Sequence, residues 1–217
     1  MPDIQVDQRL INFLVFLPVF IISITIHEFA HAFIALKLGD DTAKQMGRFT
    51  LNPLKHIDLI GTVLMPLASF ASGFALIGWA KPVPINRNNF GNPLIDDAKV
   101  SIAGPLSNFI LAILLFIIMH LISANTFAEN NILTNLLWYG VFFNVFLFVF
   151  NLLPIPPLDG SHILFDLFPG KYTAKLMSIG FYGSIILLLF IYSPLWDIFM
   201  KVVNLILKLF LVIGGYA

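Results

Sequence analysis

The residues of this chain best suited to chemistry are His27, Glu28 and His31, which form an HExxH motif. On an α-helix, residues four positions apart lie on the same face, so both imidazoles can reach one metal ion. Glu28 lies between them and can act as a base toward a metal-bound water. The motif therefore predicts a metal-dependent hydrolytic site.

The setting of the motif is as informative as its spacing. It lies in an almost unbroken apolar run from Leu10 to Leu38, which is long enough to cross about 30 Å of hydrocarbon. Ionisable side chains inside a membrane span are rare and usually mark a functional site. The alternative is a polar cluster that only joins neighbouring helices.

The composition also indicates a membrane protein. Hydrophobic residues make up 59% of the 217 residues and charged residues 11%, and the mean hydropathy is +0.91. The net charge of zero gives no indication of nucleic-acid binding. The absence of cysteine excludes a disulfide framework and thiolate metal ligands. Because no small-residue cleavage site follows the first apolar run, we expect it to be a retained span.

Six apolar segments predict an all-α fold, a polytopic bundle with about four to six membrane segments. The second of these segments, Ile57–Ile77, is interrupted by Gly61, Pro66 and Gly73. The segments are Leu10–Leu38, Ile57–Ile77, Val100–Ile122, Ile132–Leu153, Ala174–Tyr192 and Leu195–Ile213.

The last apolar segment carries a polar stripe. Asp197, Lys201, Asn204 and Lys208 recur at spacings of four, three and four, which places them on one helix face. Such a stripe favours a helix that lies in the membrane interface. The alternative is a crossing helix whose stripe faces the interior of the bundle.

A third metal ligand is needed, because catalytic zinc usually has three protein ligands and a water. Asp159 follows an apolar segment through three prolines that break the helix, so its carboxylate can turn back toward the bundle. The alternative is an ordinary Asp-Gly turn at the membrane surface. Beside an intramembrane HExxH motif, Asp159 is the leading candidate.

These motifs together resemble the intramembrane site-2 protease family of zinc metallopeptidases. The resemblance rests on HExxH in an early span and on the later Asn-x-x-Pro-x-x-x-x-Asp-Gly of residues 151–160. Two further stretches agree, Gly-Trp-Ala-Lys-Pro-Val-Pro at 78–84 and Ala-Gly-Pro-Leu-Ser-Asn at 103–108. The resemblance covers roughly residues 10–170 and is to the compact branch that lacks a PDZ domain.

The resemblance implies that His27, His31 and Asp159 bind one zinc ion and that Glu28 is the catalytic base. It also implies that Asn151 assists substrate binding. Substrates would be transmembrane proteins or peptides, cleaved within or near their spans in a bacterial plasma membrane. We expect one membrane-embedded protease domain over residues 1–217, with a catalytic core at about 10–170 and C-terminal helices at about 172–215.

The remaining candidates allow more than one interpretation. The Asn151 amide can donate to a developing oxyanion or the substrate backbone, or it can brace the helix break before Pro154. His56 is predicted to be an interfacial loop residue and His120 to be structural. His162 follows Asp159 by one turn and is a candidate for hydrogen bonding to that ligand. Residues 78–90 favour an extended segment, either a strand edge that holds an unwound substrate or a plain connection.

The position of the ligands also predicts topology. HExxH lies toward the end of its segment, and Asp159 follows the end of Ile132–Leu153, so the two helices meet most easily if they run parallel. Parallel helices require an odd number of crossings between them. We therefore expect the interrupted segment Ile57–Ile77 to enter and leave the membrane on one side. The positive-inside rule places residues 39–56 and 80–97 in the cytoplasm and 123–131 outside.

Two other functions remain possible from these residues. A membrane zinc transporter also places His, Glu and Asp inside the bilayer, but it needs several weaker sites along a path. A catalytically inactive binding protein of the same fold is the second alternative, and the presence of Glu28 argues against it.

Overall fold

The computed structural model describes residues 8–72, 78–123 and 132–216, and these residues form helices and loops without a β-strand. Three of the helices are long and apolar enough to cross a membrane. The α-helices are α1 (Gln8–Lys37), α2 (Thr42–Gln45), α3 (Met65–Ser72), α4 (Pro93–Ser123), α5 (Ile132–Asn151), α6 (Asp159–Leu167), α7 (Lys171–Met177), α8 (Gly183–Ile191) and α9 (Leu195–Ile213). Short 3-10 helices lie at Pro53–Lys55, Arg87–Asn89 and Gly180–Tyr182, and a π-helix at Leu59–Leu64 leads into α3.

The helices α1, α4 and α5 are the three candidate spans, over Phe13–Lys37, Pro93–Ile122 and Leu133–Asn151. Side chains of α1 residues 27 and 31 bond to α4 residues 108 and 100, respectively, so α4 runs antiparallel to α1. Residue 108 of α4 bonds to residue 144 of α5, and residue 115 lies against residue 140. Helix α5 is therefore antiparallel to α4 and parallel to α1, as the ligand positions predicted.

The interrupted second segment folds back on itself. The backbone N–H of Trp79 donates to the carbonyl of Gly61 at 3.0 Å, so the chain returns to the point where the segment began. The Thr62 hydroxyl donates to the carbonyl of Trp79 at 2.8 Å. Phe70, near the end of α3, stacks on Phe13 of α1 with ring centroids 4.7 Å apart. These contacts support a re-entrant element; Gly73 and the loop at 124–131 lie outside the described residues.

The prediction of one span over Ala174–Tyr192 is wrong. Helix α7 ends at Met177, and α8 begins only at Gly183. Between them Gly180 has a φ of 53°, a left-handed conformation that ends a helix. A Cβ atom at Gly183 would overlap the carbonyl oxygen of Pro156, so the chain passes too close to that loop for most side chains.

Helix α9 lies lengthwise against α4 and α5. Its buried residues Phe199, Val203 and Leu207 recur every four positions and form one core with both helices. The ring centroids of Phe199 and Phe146 are 5.4 Å apart, and Phe146 lies near the end of α5. Further along α9, the ring centroid of Phe210 lies 5.2 Å from that of Phe116, in the second half of α4. Helix α9 therefore runs parallel to α4, in the direction of the candidate spans.

The polar stripe of α9 does not face the interior of the bundle, because all four of its residues are exposed. The opposite apolar face packs along the groove between α4 and α5. Helix α9 is not among the candidate spans of the described residues, and the interfacial helix stays a prediction. The stripe residues are Asp197, Lys201, Asn204 and Lys208.

Candidate metal centre

Three donor groups from two helices meet inside the bundle. His27 Nε2 lies 3.0 Å from His31 Nε2 and 3.1 Å from Asp159 Oδ2. His31 Nε2 lies 3.5 Å from Asp159 Oδ1. A tetrahedral zinc ion with bonds of about 2.0–2.1 Å holds its ligand atoms about 3.3 Å apart. Both the donor types and their spacing therefore fit zinc.

The hydrogen bonds of the two imidazoles leave the correct nitrogens for a metal. His27 Nδ1 lies 2.7 Å from Asn108 Oδ1, and His31 Nδ1 lies 2.7 Å from the carbonyl of Val100. Both partners are acceptors, so each Nδ1 carries the proton and each Nε2 presents a lone pair. Two lone pairs and the Asp159 carboxylate then face one another, an arrangement that a cation satisfies.

Asp159 reaches the site because the prolines end α5 and a new helix begins at once. Leu158, the residue before α6, is extended with φ −73° and ψ 153°, and Asp159 occupies the first turn of α6. Burial raises the pKa of Asp159, but without a metal the protonated imidazoles of His31 and His27 would outweigh burial and hold the pKa well below its usual range. A bound zinc ion would favour the ionised carboxylate in the same way.

Gly104 of α4 provides the space beside the donors. A Cβ atom there would lie 2.6 Å from His27 Nε2 and closer still to His31 Nε2. Any other residue would therefore press on both imidazoles. In the sequence Gly104 stands out only as part of the 103–108 stretch, and the structure gives it a direct role in the shape of the site.

A buried polar network supports His27 from behind. Asn108 donates from Nδ2 to Asn144 Oδ1 at 2.9 Å and to the Ser23 carbonyl at 3.2 Å. Asn144 donates to the Ser23 hydroxyl at 2.9 Å. Sequence reasoning missed Ser23 and Asn144. The signal was present, because a buried amide in an apolar span needs a partner.

Glu28 is buried beside the metal ligands, and its carboxylate contacts the extended segment 79–86. Three alternate backbone N–H groups of this segment have partners, and we call this side its inner edge. The bonds are Trp79 to Gly61 O at 3.0 Å, Lys81 to His56 O at 2.9 Å and Val83 to Glu28 Oε2 at 2.7 Å. The segment is extended as predicted, although it forms no strand within the described residues.

Asn151 lies at the last residue of α5 and is half-buried. Its Nδ2 donates to the carbonyl of Leu147, four residues earlier, at 3.0 Å. This bond is the bracing interaction that was one of its two predicted roles. Its role toward a substrate stays a prediction.

The other histidines lie away from the metal ligands. His56 is fully buried, with Nε2 2.8 Å from the Thr50 carbonyl, and its interfacial position stays a prediction. The Lys81 N–H donates to the carbonyl of His56 at 2.9 Å, so segment 79–86 lies against this loop. His120 is exposed and lies 2.8 Å from the Tyr216 hydroxyl, in agreement with a structural role. His162 pairs with Arg87, at 3.1 Å from its Nη2, instead of with Asp159.

An HExxH helix with a carboxylate from a neighbouring helix defines a zinc metallopeptidase site, here in a membrane protein. The family model of peptidase family M50 matches residues 15–132 and 119–191. The chain belongs to this family, which is the site-2 protease family, and zinc is its cofactor. No solved structure matches the chain.

Curated relatives agree with this assignment. The chain is 43% identical over 199 residues to "Putative zinc metalloprotease YwhC" of Bacillus subtilis (strain 168), covering 88% of each protein. It is 34% identical over 145 residues to "Putative zinc metalloprotease Rip2" of Mycolicibacterium smegmatis, covering 64% of this chain and 52% of the relative. It is 39% identical over 72 residues to "Putative zinc metalloprotease MJ0611" of Methanocaldococcus jannaschii, covering 32% of this chain and 34% of the relative.

Proposed function

We propose that this protein is an intramembrane zinc endopeptidase that cleaves membrane proteins within or near their transmembrane segments. The observation that carries the proposal is the convergence of His27, His31 and Asp159 inside a bundle of candidate spans, with Glu28 beside them. A hydrolytic site buried at this depth acts on substrates that are themselves in the bilayer.

The residues of the site have separate tasks in peptide hydrolysis. When bound, zinc supplies a coordinated water with a pKa of about 7 and polarises the peptide carbonyl. Glu28 accepts the proton of the attacking water and passes it to the leaving amide nitrogen. The Val83 N–H orients the Glu28 carboxylate by the bond to Oε2. The Asn151 amide donates to the oxyanion or to the substrate backbone.

Segment 79–86 holds the unwound substrate in this proposal. Its inner edge is occupied, and on the opposite edge Pro82 and Pro84 have no N–H. That edge therefore presents carbonyls, to which substrate N–H groups donate. Val83→Pro would also remove the bond to Glu28. Ile85→Pro leaves that bond intact and changes the shape of the segment, because Ile85 lies on the inner edge and its own N–H does not face the substrate. We expect Ile85→Pro to reduce cleavage and keep zinc; unchanged turnover would contradict substrate capture here.

We also propose that the chain acts as one membrane-embedded unit in a bacterial plasma membrane. Two observations support this. Helices α1, α4, α5 and α9 pack into a continuous bundle, and YwhC is a protein of Bacillus subtilis. Membrane fractionation of the native host tests the location.

The decisive experiment uses purified protein with a transmembrane peptide in lipid vesicles. We expect Glu28→Gln to keep zinc and abolish cleavage, because an amide cannot accept the water's proton. We expect His27→Ala, His31→Ala and Asp159→Ala to lose both zinc and cleavage. Full zinc occupancy with normal cleavage in Asp159→Ala would remove Asp159 from the ligand set. Substrates trapped on Glu28→Gln and identified would define the natural targets.

The same vesicles separate the proposal from its alternatives. Zinc flux across the bilayer without peptide cleavage would identify a transporter. Zinc binding with neither flux nor cleavage of any trapped protein would identify an inactive binding protein. The described residues contain one group that can hold a metal, which favours a catalytic centre over a transport path.

A further inference from the structure

A second cluster of charged side chains, built around two buried carboxylates, lies outside the metal site. Arg87 Nη1 lies 3.2 Å from Asp166 Oδ1, and its Nη2 forms an ion pair with Asp97 Oδ2. His162 Nδ1 lies 3.1 Å from Arg87 Nη2 and 3.8 Å from Asp97 Oδ2. The Asp166 and Asp97 side chains are 0% and 7% exposed. The proposed peptide hydrolysis uses none of these four residues.

The cluster and the metal site are at opposite ends of one helix contact. On α6, Asp166 follows Asp159 by seven residues, which places both on one face about 10 Å apart. On α4, Asp97 precedes Gly104 by the same interval. At one end, Asp159 of α6 faces Gly104 of α4 across the imidazoles of His27 and His31. At the other end, Asp166 of α6 faces Asp97 of α4 across Arg87. The α4–α6 contact is therefore fixed at two points, one of which is the metal site.

The turn that carries Arg87 is itself attached to α1. Asn86, the residue just before the turn Arg87–Asn89, donates its backbone N–H to Asp40 Oδ2 at 2.8 Å. Asn89 donates from Nδ2 to Asp40 Oδ1 at 2.7 Å. Asp40 follows the end of α1, the helix of the HExxH motif. Arg87 thus connects α6 to α4 and, through this turn, to α1.

Two buried carboxylates side by side need a cation or a shared proton. Without Arg87, Asp97 and Asp166 would repel one another in this contact whenever both are ionised. The guanidinium suits this position because its planar fork reaches both carboxylates at once, which the single ammonium of a lysine does less well. The ring of Phe165 lies 5.8 Å from the guanidinium carbon and covers one side of it.

We propose that Arg87 is a positioning residue for the metal site: by bridging Asp97 and Asp166, it sets the distance of α6 from α4 and so holds Asp159 opposite His27 and His31. This inference rests on the proposed role of Asp159 as a zinc ligand. Loss of the bridge moves Asp159 away from the imidazoles and weakens zinc binding, although no ligand has changed.

The test is the zinc affinity of the purified full-length protein, measured by competition with a chromophoric chelator. We expect Arg87→Met to lower the affinity by about 10–100-fold, the range for residues that orient metal ligands. Arg87→Lys should lie between Arg87→Met and the native protein. Lys99→Met is the matched control, because Lys99 is an exposed cation of α4 paired with Asp96, and its affinity should be unchanged.

A rescue variant separates positioning from a general loss of stability. Arg87→Met combined with Asp97→Asn and Asp166→Asn replaces the charged bridge by two amides, which can hydrogen-bond to each other across the same contact, and we expect zinc affinity to return toward the native value. Excess zinc should restore cleavage by Arg87→Met, because Glu28 is intact. If Arg87→Met does not fold, Arg87→Lys and the triple variant still test the inference.

The outcomes distinguish this inference from the proposed function. Native zinc affinity in Arg87→Met or Arg87→Lys would overturn the inference, provided that Asp159→Ala loses zinc. Weak binding in the triple variant equal to that of Arg87→Met would also overturn it. Zinc retained by Asp159→Ala would instead contradict the proposed ligand set.

Discussion

Helices α4 and α5 take part in two contacts of opposite chemistry. Next to the metal site they meet α1 through Ser23, Asn108 and Asn144, all at most 1% exposed and joined by hydrogen bonds. On another face they meet α9 through aliphatic and aromatic side chains such as Val145 and Val203. One contact is polar and directional, and the other is apolar and non-directional.

The difference shows what each contact is for. Hydrogen bonds fix distance and direction, so the polar contact sets the orientation of His27 toward the metal. Polar groups are costly to bury in a membrane, and they are tolerated here because each has a partner. The α9 contact needs close packing but no particular direction. We therefore expect zinc binding to depend on the first contact and only protein stability on the second.

Two matched glycine substitutions give the largest expected difference. Gly104→Ala should abolish zinc binding and cleavage, because its methyl group would enter the space beside His27 and His31. Gly140→Ala should keep zinc, since its methyl group meets Leu115 Cδ1 at 2.7 Å, the end of a flexible side chain. We expect it to lower the free energy of unfolding by about 1–3 kcal/mol. Zinc content and thermal unfolding are measured for both variants. Equal loss of zinc in Gly104→Ala and Gly140→Ala would contradict the expected difference between the two positions.

Substitutions in the polar network should have graded effects. Asn108→Ala removes the acceptor for His27 Nδ1 and should lower zinc affinity by about 10–100-fold. Asn144→Ala should lower it less, because Asn144 contacts Asn108 and not His27. Chelator competition measures both affinities. A larger loss in Asn144→Ala than in Asn108→Ala would show that the network acts through packing instead of through His27.

A smaller effect concerns the pH dependence of stability at the α4–α6 contact. Burial, with help from the neighbouring Asp97 carboxylate, raises the pKa of Asp166 to about 7. The native state then holds a proton that the unfolded chain releases above its ordinary pKa, so Asp166 makes stability fall as pH rises from about 4 to about 7. Asp166→Asn should lack this decline in thermal unfolding. A decline of the same size in the variant would assign it to other groups.

The smallest expected difference is between two cysteine probes that bracket the re-entrant segment. The native chain has no cysteine, so Gln45→Cys and Asn88→Cys can be labelled singly. Both should react from the cytoplasmic face, because the chain returns from Trp79 to Gly61. Labelling from opposite faces would show that the segment crosses the membrane, and the parallel arrangement of α1 and α5 would need another explanation.

Some features were not visible in the sequence, for a common physical reason. The packing of α9, the burial of His56 and the pairing of His162 with Arg87 all depend on what the chain packs against far along the sequence. Periodicity reveals which face of a helix is apolar, but not which partner covers it.

The sequence by itself determined the features that follow from local geometry. The i, i+4 spacing on a helix brings His27 and His31 together, and helix-breaking prolines free Asp159 to begin a new helix. The tertiary structure alone decided which residues support these ligands. Arg87 contacts His162, which is 75 positions away in the sequence, and Asp166, which is 79 positions away. Asn108 lies 81 positions from its partner His27. Such partners leave no periodic pattern, because the contacts form only when separate helices pack.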